Sequence, residues 1–316
     1  MNNSFGACII VKDAEKTIGN TLESIFEICS QIVVIDTGSI DNTPQICTNY
    51  GAEVHFFKWV NDFSKARNYG LDLMRTDWIL TIDSDEIFEI NNLNLNNIPK
   101  NVGGLNLEII NFTDPNNNEL ALSHYYTRIF RNNKEFRFSG TIHEQIRESI
   151  ELAGFDIIKI DSKIHHFGYS QPAYEKKKRN KEMLELELNE NENDFLKYHL
   201  ANTEFSLNNY KVAQKLFYNL VNSSELSENQ IEHIKIRLAQ IALLTEDFAE
   251  IEKWTSFSAK DTNIEGLKMF IIASLNIMQK QYKNALVMFN SPIMQKSSLV
   301  DKNVVKNAIE FLTKML

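Results

Sequence analysis

The stretch Thr81-Ile82-Asp83-Ser84-Asp85-Glu86 sets three carboxylates within four residues, directly after the apolar run Trp78-Ile79-Leu80. Such a run reads as the end of a buried strand, and in a parallel sheet ligands bind beyond the carboxyl ends of the strands. Carboxylates packed this closely repel one another and raise each other's pKa unless a cation or hydrogen-bond donors intervene. A hard divalent ion, Mg2+ or Mn2+, that also bridges a phosphate is the economical partner. The plain alternative is a solvated acidic turn, because Asp-x-Asp alone is a weak motif.

Further residues suited to chemistry lie on either side. Asp36 follows the apolar run Ile32-Val33-Val34-Ile35, where it can accept hydrogen bonds from a ribose or from the imide N–H of a uracil; closing the turn with Gly38 and Ser39 is a compatible role. Arg67, always charged and planar, suits a base edge or a phosphate, or else a surface pair with a nearby Asp. His143-Glu144 offers two candidate general bases. Glu144 is favoured, since a carboxylate beside a closed site can have a raised pKa; His143 is the rival, and a hydrogen-bonded loop pair the plain alternative. His165-His166 stands before an aromatic residue and a glycine, and a neutral imidazole there can supply a metal ligand or be a satisfied core histidine.

The elements that must position these residues are legible. Ala7–Val11 is a continuous apolar run too short for a helix, hence a buried parallel strand. Ile18, Leu22, Ile25 and Phe26 fall at helical spacing within 17–28, so a helix with one buried face precedes the strand 32–35. A helix opening at Pro44, a strand at 53–56, a helix carrying Ala66, Leu71 and Met74, and the strand 78–82 complete the crossover pattern. Residues 103–112 and 126–130 alternate as strands around a turn-rich loop at 113–118, and 158–164 alternates more weakly.

Composition sets the outer bounds. The 316 residues suggest about two domains. Hydrophobic content of 43% with five prolines fits a globular chain, and a net charge of -9 argues against a sequence-independent nucleic-acid binder. Cys8, Cys29 and Cys47 are widely spaced among apolar neighbours, which implies buried thiols rather than a disulfide framework or a zinc site. No basic-then-apolar leader and no long apolar span is present in the sequence, so the expectation is a soluble cytoplasmic protein.

The segments Ile-Val-Lys-Asp-Ala-Glu (10–15), Val-Ile-Asp-Thr-Gly-Ser-Ile-Asp-Asn-Thr (34–43), Asp-Phe-Ser-Lys-Ala-Arg-Asn (62–68) and Asp-Trp-Ile-Leu-Thr-Ile-Asp-Ser-Asp-Glu (77–86) together resemble family 2 glycosyltransferases of the GT-A fold. They resemble in particular the branch in which a helical repeat region follows the catalytic domain, and Gly140-Thr141-Ile142-His143-Glu144 is similar to a further signature of that branch. The resemblance implies that Asp36 and Arg67 bind the nucleotide, Asp83 lies near the ribose, Ser84 belongs to the donor-binding residues, and Asp85 coordinates a metal on the diphosphate. It favours His166 as a second metal ligand and places Lys176 and Arg179 within reach of the donor diphosphate. Asp13-Ala14 departs from the Asn-Glu common in the family, which leaves the donor-site role of Asp13 open. The implied chemistry is displacement at the anomeric carbon with inversion.

Beyond residue 173 strand signals cease. Tyr210, Phe248 and Tyr282 open similar helical patterns 38 and 34 residues apart, close to the ~34-residue tetratricopeptide period. The resulting expectation is an α/β GT-A nucleotide-sugar-binding domain with a mixed, mainly parallel sheet over 1–172, then an all-α, TPR-like domain over 173–316. Its function would be Mn2+- or Mg2+-dependent transfer of a hexose from a nucleotide sugar, a UDP-sugar, to a hydroxyl or thiol. The acceptor would be Ser or Cys of a peptide or protein, with a cell-surface saccharide as the alternative and an inactive nucleotide-binding repeat scaffold as the alternative of another class. The helical stack would serve for peptide binding or homodimer formation.

Overall fold

The structure, a computed structural model, describes residues 3–112, 121–142, 144–167 and 173–316. It comprises two compact units, Met1–Pro172 and Ala173–Leu316. In the first, the chain runs β1 (Phe5–Val11), α1 (Ile18–Glu23), β2 (Gln31–Asp36), α2 (Thr43–Asn49), β3 (Glu53–Phe56), α3 (Phe63–Leu73), β4 (Trp78–Thr81), β5 (Glu86–Glu89), β6 (Val102–Phe112), β7 (Ala121–Arg131), α4 (Arg147–Leu152) and β8 (Asp156–His166).

These strands form one sheet in the order β3-β2-β1-β4-β7-β6-β8-β5. β1 lies parallel to both β2 and β4, and β2 is parallel to β3. β7 then reverses direction against β4. The chain first steps outward from β1 to β2 and β3, then crosses back to β4, so the carboxyl ends of β1, β2 and β4 meet where the direction of winding changes. That is the place such sheets leave open for ligands. Ile18 and Leu22 of α1 pack on one face, with Val34 and Leu80; Ala66 and Leu71 of α3 pack on the other, with Val33 and Ile35. Gly70 allows this second contact, because a Cβ there would collide with the Cys8 sulfur.

Two local differences from the sequence pattern matter for the site. The helix expected over 17–28 is regular only over Ile18–Glu23. It tightens at its end, where Ile25 N–H bonds to Leu22 O and the Ser24 hydroxyl accepts the Phe88 N–H at 3.1 Å. Phe26 is therefore 45% exposed, while Ile25 keeps its place in the core. The stretch after Asp85 is also a strand, β5, which the apolar runs did not mark. Its inward positions are Glu86 and Phe88, and a charged residue at an inward position hides the strand's alternation. The three cysteines are unpaired, with Cys8 and Cys47 buried, and burial pushes the Cys8 thiol up to about 12.

The second unit consists of α5 (Ala173–Glu190), α6 (Asp194–Ser206), α7 (Tyr210–Leu220), α8 (Glu228–Leu244), α9 (Phe248–Thr255), α10 (Thr262–Met278), α11 (Tyr282–Phe289), α12 (Pro292–Lys296) and α13 (Lys302–Met315). The pairs α6–α7, α8–α9 and α10–α11 pack as successive hairpins. Tyr210, Phe248 and Tyr282 each open the second helix of a pair. Two residues earlier, Asn208, Glu246 and Lys280 each adopt a positive φ near 60°, so all three hairpins turn in the same way. Ala213, Phe217, Ile251, Ala285 and Phe289 bury against the partner helices, and each phenylalanine contributes about 2–3 kcal/mol by leaving water.

Candidate active site

Two loops interlock beside the carboxyl ends of β1 and β2. Asp36, 5% exposed, accepts the N–H groups of Gly38 and Ser39 on one carboxylate oxygen, each at 2.7 Å. Gly38 has φ +110°, which this turn demands and an L side chain resists. Asp13 accepts the Ile40 N–H at 2.8 Å, and Glu15 N–H donates to Asp41 at 3.1 Å. Both Asp36 and Asp13 thus shape the loops, whatever else they hold. Asp13 does so in the left-handed region, at φ +48°, where a residue other than glycine costs conformational energy.

Next to these loops runs a chain of charge pairs. Arg67, projecting from α3, donates from Nη2 to Asp83 at 2.6 Å and from Nε to Glu144 at 2.8 Å. Asp83 also faces Arg128 of β7 at 3.4 Å, and Arg128 donates to Glu86 at 2.8 Å. Glu86 is fully buried; it accepts the Asp83 N–H at 2.8 Å and lies 3.4 Å from Nδ1 of His166. The far side of that ring, Nε2, is 3.9 Å from Asp85. The Phe167 N–H donates to the Asp85 carbonyl at 3.1 Å, which fixes the end of β8 against the acidic turn.

Burial opposes ionisation of Asp83, but the charges of Arg67 and Arg128 outweigh it and hold the carboxyl well below the usual carboxylate range. Burial likewise disfavours the charge on Arg67, and Asp83 and Glu144 more than restore it. The condition set for clustered carboxylates, that a cation or donors intervene, is met at Asp83 by two arginines of the chain itself. For His166, burial works against protonation, while the hydrogen bond to Glu86 and the charges of Asp85, Glu86 and Asp83 raise its pKa. A cation on Nε2 would bind the neutral imidazole, with the remaining proton on Nδ1 facing Glu86.

The structure therefore brings Arg67, Asp83, Glu144, Asp85 and His166 into one network, with Ser84 in the turn between the two aspartates. Arg67 is not a surface arginine: it is 5% exposed, and its Nη1 has no hydrogen-bond partner among the described residues. His143 and the side chain of Lys176 lie outside the described residues, and Arg179 belongs to α5 of the second unit. Arg128 and Glu86 complete the network without having been singled out as site residues. Arg128 was visible in sequence as a cation in the middle of the apolar strand Tyr126–Phe130.

Asp85 and Nε2 of His166 are the two groups at this turn that a cation could bridge. Their 3.9 Å separation is within the span of two bonds of about 2.1 Å. Among the described residues no cluster of three or more His, Cys, Asp or Glu side chains is arranged to hold a metal. A cation there would complete its shell with phosphate oxygens and water, as Mg2+ ordinarily does.

Sheet order, crossover pattern and the acidic turn beyond β4 define an α/β domain of the GT-A type. Residues 7–95 match the model of the family described as glycosyl transferase family 2. A TPR repeat-containing protein of Synechococcus elongatus is 32% identical over 148 residues, which are 45% of this chain and 35% of that protein. Glycosyltransferase SunS of Bacillus phage SPbeta is 31% identical over 167 residues, 51% of this chain and 39% of that protein. Among solved structures, the mannosyltransferase PcManGT from Pyrobaculum calidifontis, in complex with GDP-Man and Mn2+, aligns with a TM-score of 0.45 at 12% identity over 90% of this chain and 87% of that one. The match to the family model lies within the α/β unit and a helical region follows it, and the chain spans well under half the length of the two curated relatives.

Proposed function

We propose that the chain is a metal-dependent, inverting glycosyltransferase that moves a hexose from a UDP-sugar to an acceptor hydroxyl or thiol. The observation that carries this reading is the network that joins Arg67, Asp83 and Glu144 to the Asp85–His166 pair at the open carboxyl end of β4. In it, Asp36 and Arg67 serve the nucleotide, Asp83 and Ser84 the ribose, and Asp85 with His166 the Mn2+ or Mg2+ that neutralises the departing diphosphate. Asp13, at the edge of the same loops, belongs to the donor side.

Glu144 is the general base. Arg67 orients it through Oε1, and the proton of the acceptor passes to the carboxylate as the nucleophile attacks the anomeric carbon and the bond to the diphosphate breaks. His143, its sequence neighbour, is the alternative base. Lys176 and Arg179 are proposed as further cations for the diphosphate, and the helical hairpins as the platform for a peptide or protein acceptor, with Ser or Cys as the nucleophile, or for a homodimer. No helix among the described residues is long and apolar enough to cross a membrane; a cytoplasmic location is part of the proposal.

Donor hydrolysis measured over a panel of UDP- and GDP-hexoses with Mn2+ tests the reading. One donor should be cleaved well above background, and Glu144→Gln should lower turnover of that donor with a good acceptor by about 10²-fold or more. A chain that binds UDP but turns over no donor would instead be a nucleotide-binding scaffold.

A further inference from the structure

The helical unit holds a cation that no carboxylate neutralises. Arg237 of α8 is half-buried against α6. Its Nε donates to Oδ1 of Asn202 at 3.3 Å, its Nη1 to Oε1 of Gln240 at 2.9 Å, and its guanidinium lies over the Phe205 ring at 4.4 Å. All three partners are neutral. Burial disfavours the charge of Arg237, and among the described residues the one group that offsets this is Tyr198, a phenol whose own pKa burial raises. Arg67 and Arg128 of the α/β unit, by contrast, are each matched by two carboxylates.

The surroundings of Arg237 are built from matching faces of two helices. Tyr198, Asn202 and Phe205 recur at helical spacing along α6, and His233, Arg237 and Gln240 recur at the same spacing along α8. The two rows meet at Tyr198 and His233, where the hydroxyl lies 2.7 Å from Nδ1, and again at Asn202 and Arg237. α6 and α8 each open a hairpin, and stacked hairpins offer extended surfaces for binding. Each of these six residues is partly exposed. Nη2 of Arg237 makes no hydrogen bond to a described residue and is not sealed from solvent. Asn202 spends one N–H on the Tyr198 carbonyl at 2.9 Å and keeps a second.

A partly desolvated guanidinium gains more from an anion than an exposed one does, because less water screens the pair. The positive charge here is single, since burial and Arg237 keep His233 neutral near pH 7. One negative charge is its match, and a phosphate dianion would lack a second cation. The rings of Phe205 and Tyr198 add apolar surface beside the charge, which suits a carboxylate carried on a peptide. We infer that Arg237, assisted by the Asn202 amide, is a recognition site for a carboxylate of a peptide lying along α6 and α8. The inference rests on the reading of the hairpins as a peptide platform and adds what that platform reads: an acidic side chain or a free C-terminus. One carboxylate oxygen accepts from Nη2, and the other takes the spare N–H of Asn202.

The test is an array of amidated decapeptides of varied sequence probed with the full chain. Each sequence is made with a central Glu, with Gln or phosphoserine in its place, and as the Gln form ending in a free carboxylate. The tightest binders, remeasured in solution by fluorescence anisotropy, should be Glu or free-acid peptides, and the set that contains them identifies which carboxylate is bound. Arg237→Gln removes a charge that burial disfavours, so this variant should fold. It should weaken those peptides about 10-fold or more, with a smaller loss for Asn202→Ala and partial recovery in Arg237→Lys, while the neutral Gln peptides change less than twofold. A guanidinium that only holds α6 and α8 in register would shift acidic and neutral peptides alike. That result, equal binding of Glu and Gln peptides, or a preference for phosphoserine overturns the carboxylate site and leaves the platform standing. If no peptide binds the unaltered chain, the platform and this inference fall together.

Discussion

The two units use buried charge in different ways. In the α/β unit it is concentrated: Arg67, Asp83, Arg128 and Glu86 adjoin one another at the carboxyl end of β4, each answered by at least one opposite charge. In the helical unit it is dispersed, with isolated pairs such as Lys181–Glu204 at 2.9 Å and Lys268–Glu265 at 2.8 Å. Stability alone explains neither pattern, because buried ion pairs often do no better than apolar side chains of the same volume. A continuous run of them at the open edge of a sheet indicates a surface arranged to meet a charged ligand, whereas the scattered pairs fit helices held in register.

The comparison is broken most directly by removing the cation that joins the network. Arg67→Leu leaves Asp83 and Glu144 without their shared partner and should cost about 3–5 kcal/mol of stability in the α/β unit, read as a lowered denaturation midpoint. Replacing Lys181 by Met leaves Glu204 still accepting from the Asn209 amide at 2.6 Å and should cost less, about 1–2 kcal/mol. Equal losses from the two substitutions would remove the distinction between the units.

A smaller effect sharpens it from the helical side. Nδ1 of His233 lies at hydrogen-bond distance, 2.7 Å, from the Tyr198 hydroxyl, and burial, aided by the charge of Arg237, pushes its pKa down to about 3. The unfolded chain takes up a proton at this residue near pH 6.5, and the folded chain does not until about pH 3. Stability of the helical unit should therefore fall as the pH drops below 6.5, with a slope approaching 1.4 kcal/mol per pH unit, or about 2 kcal/mol by pH 5. Urea unfolding between pH 7 and 5 measures this, and His233→Gln should flatten the slope. A wild-type chain equally stable at both pH values would contradict the assignment.

How much of this was legible beforehand differs by element. The strands β1, β2 and β4 read directly from short apolar runs, because both faces of such strands are buried and nothing interrupts the pattern. The strand Glu86–Glu89 did not, since its inward Glu86 is compensated by Arg128, 42 residues away, and local periodicity cannot record a partner that distant. The aromatic period of the hairpins was visible at Tyr210, Phe248 and Tyr282. The shared left-handed turn before them was not, because Glu246 and Lys280 are residues that seldom mark a positive φ. At the site, residue types and order suggested a cation beside Asp85, whereas the pairing of Arg67 with Asp83 and Glu144 needed the fold.

The central claim is that Asp85 holds a cation through which the diphosphate of a nucleotide sugar binds. Titration of UDP into the chain with and without Mn2+, repeated on Asp85→Asn, tests it. The account predicts that Mn2+ tightens UDP binding at least tenfold in the unaltered chain and has no effect in the variant. Equal UDP affinity with and without metal, or full metal enhancement in Asp85→Asn, would contradict it.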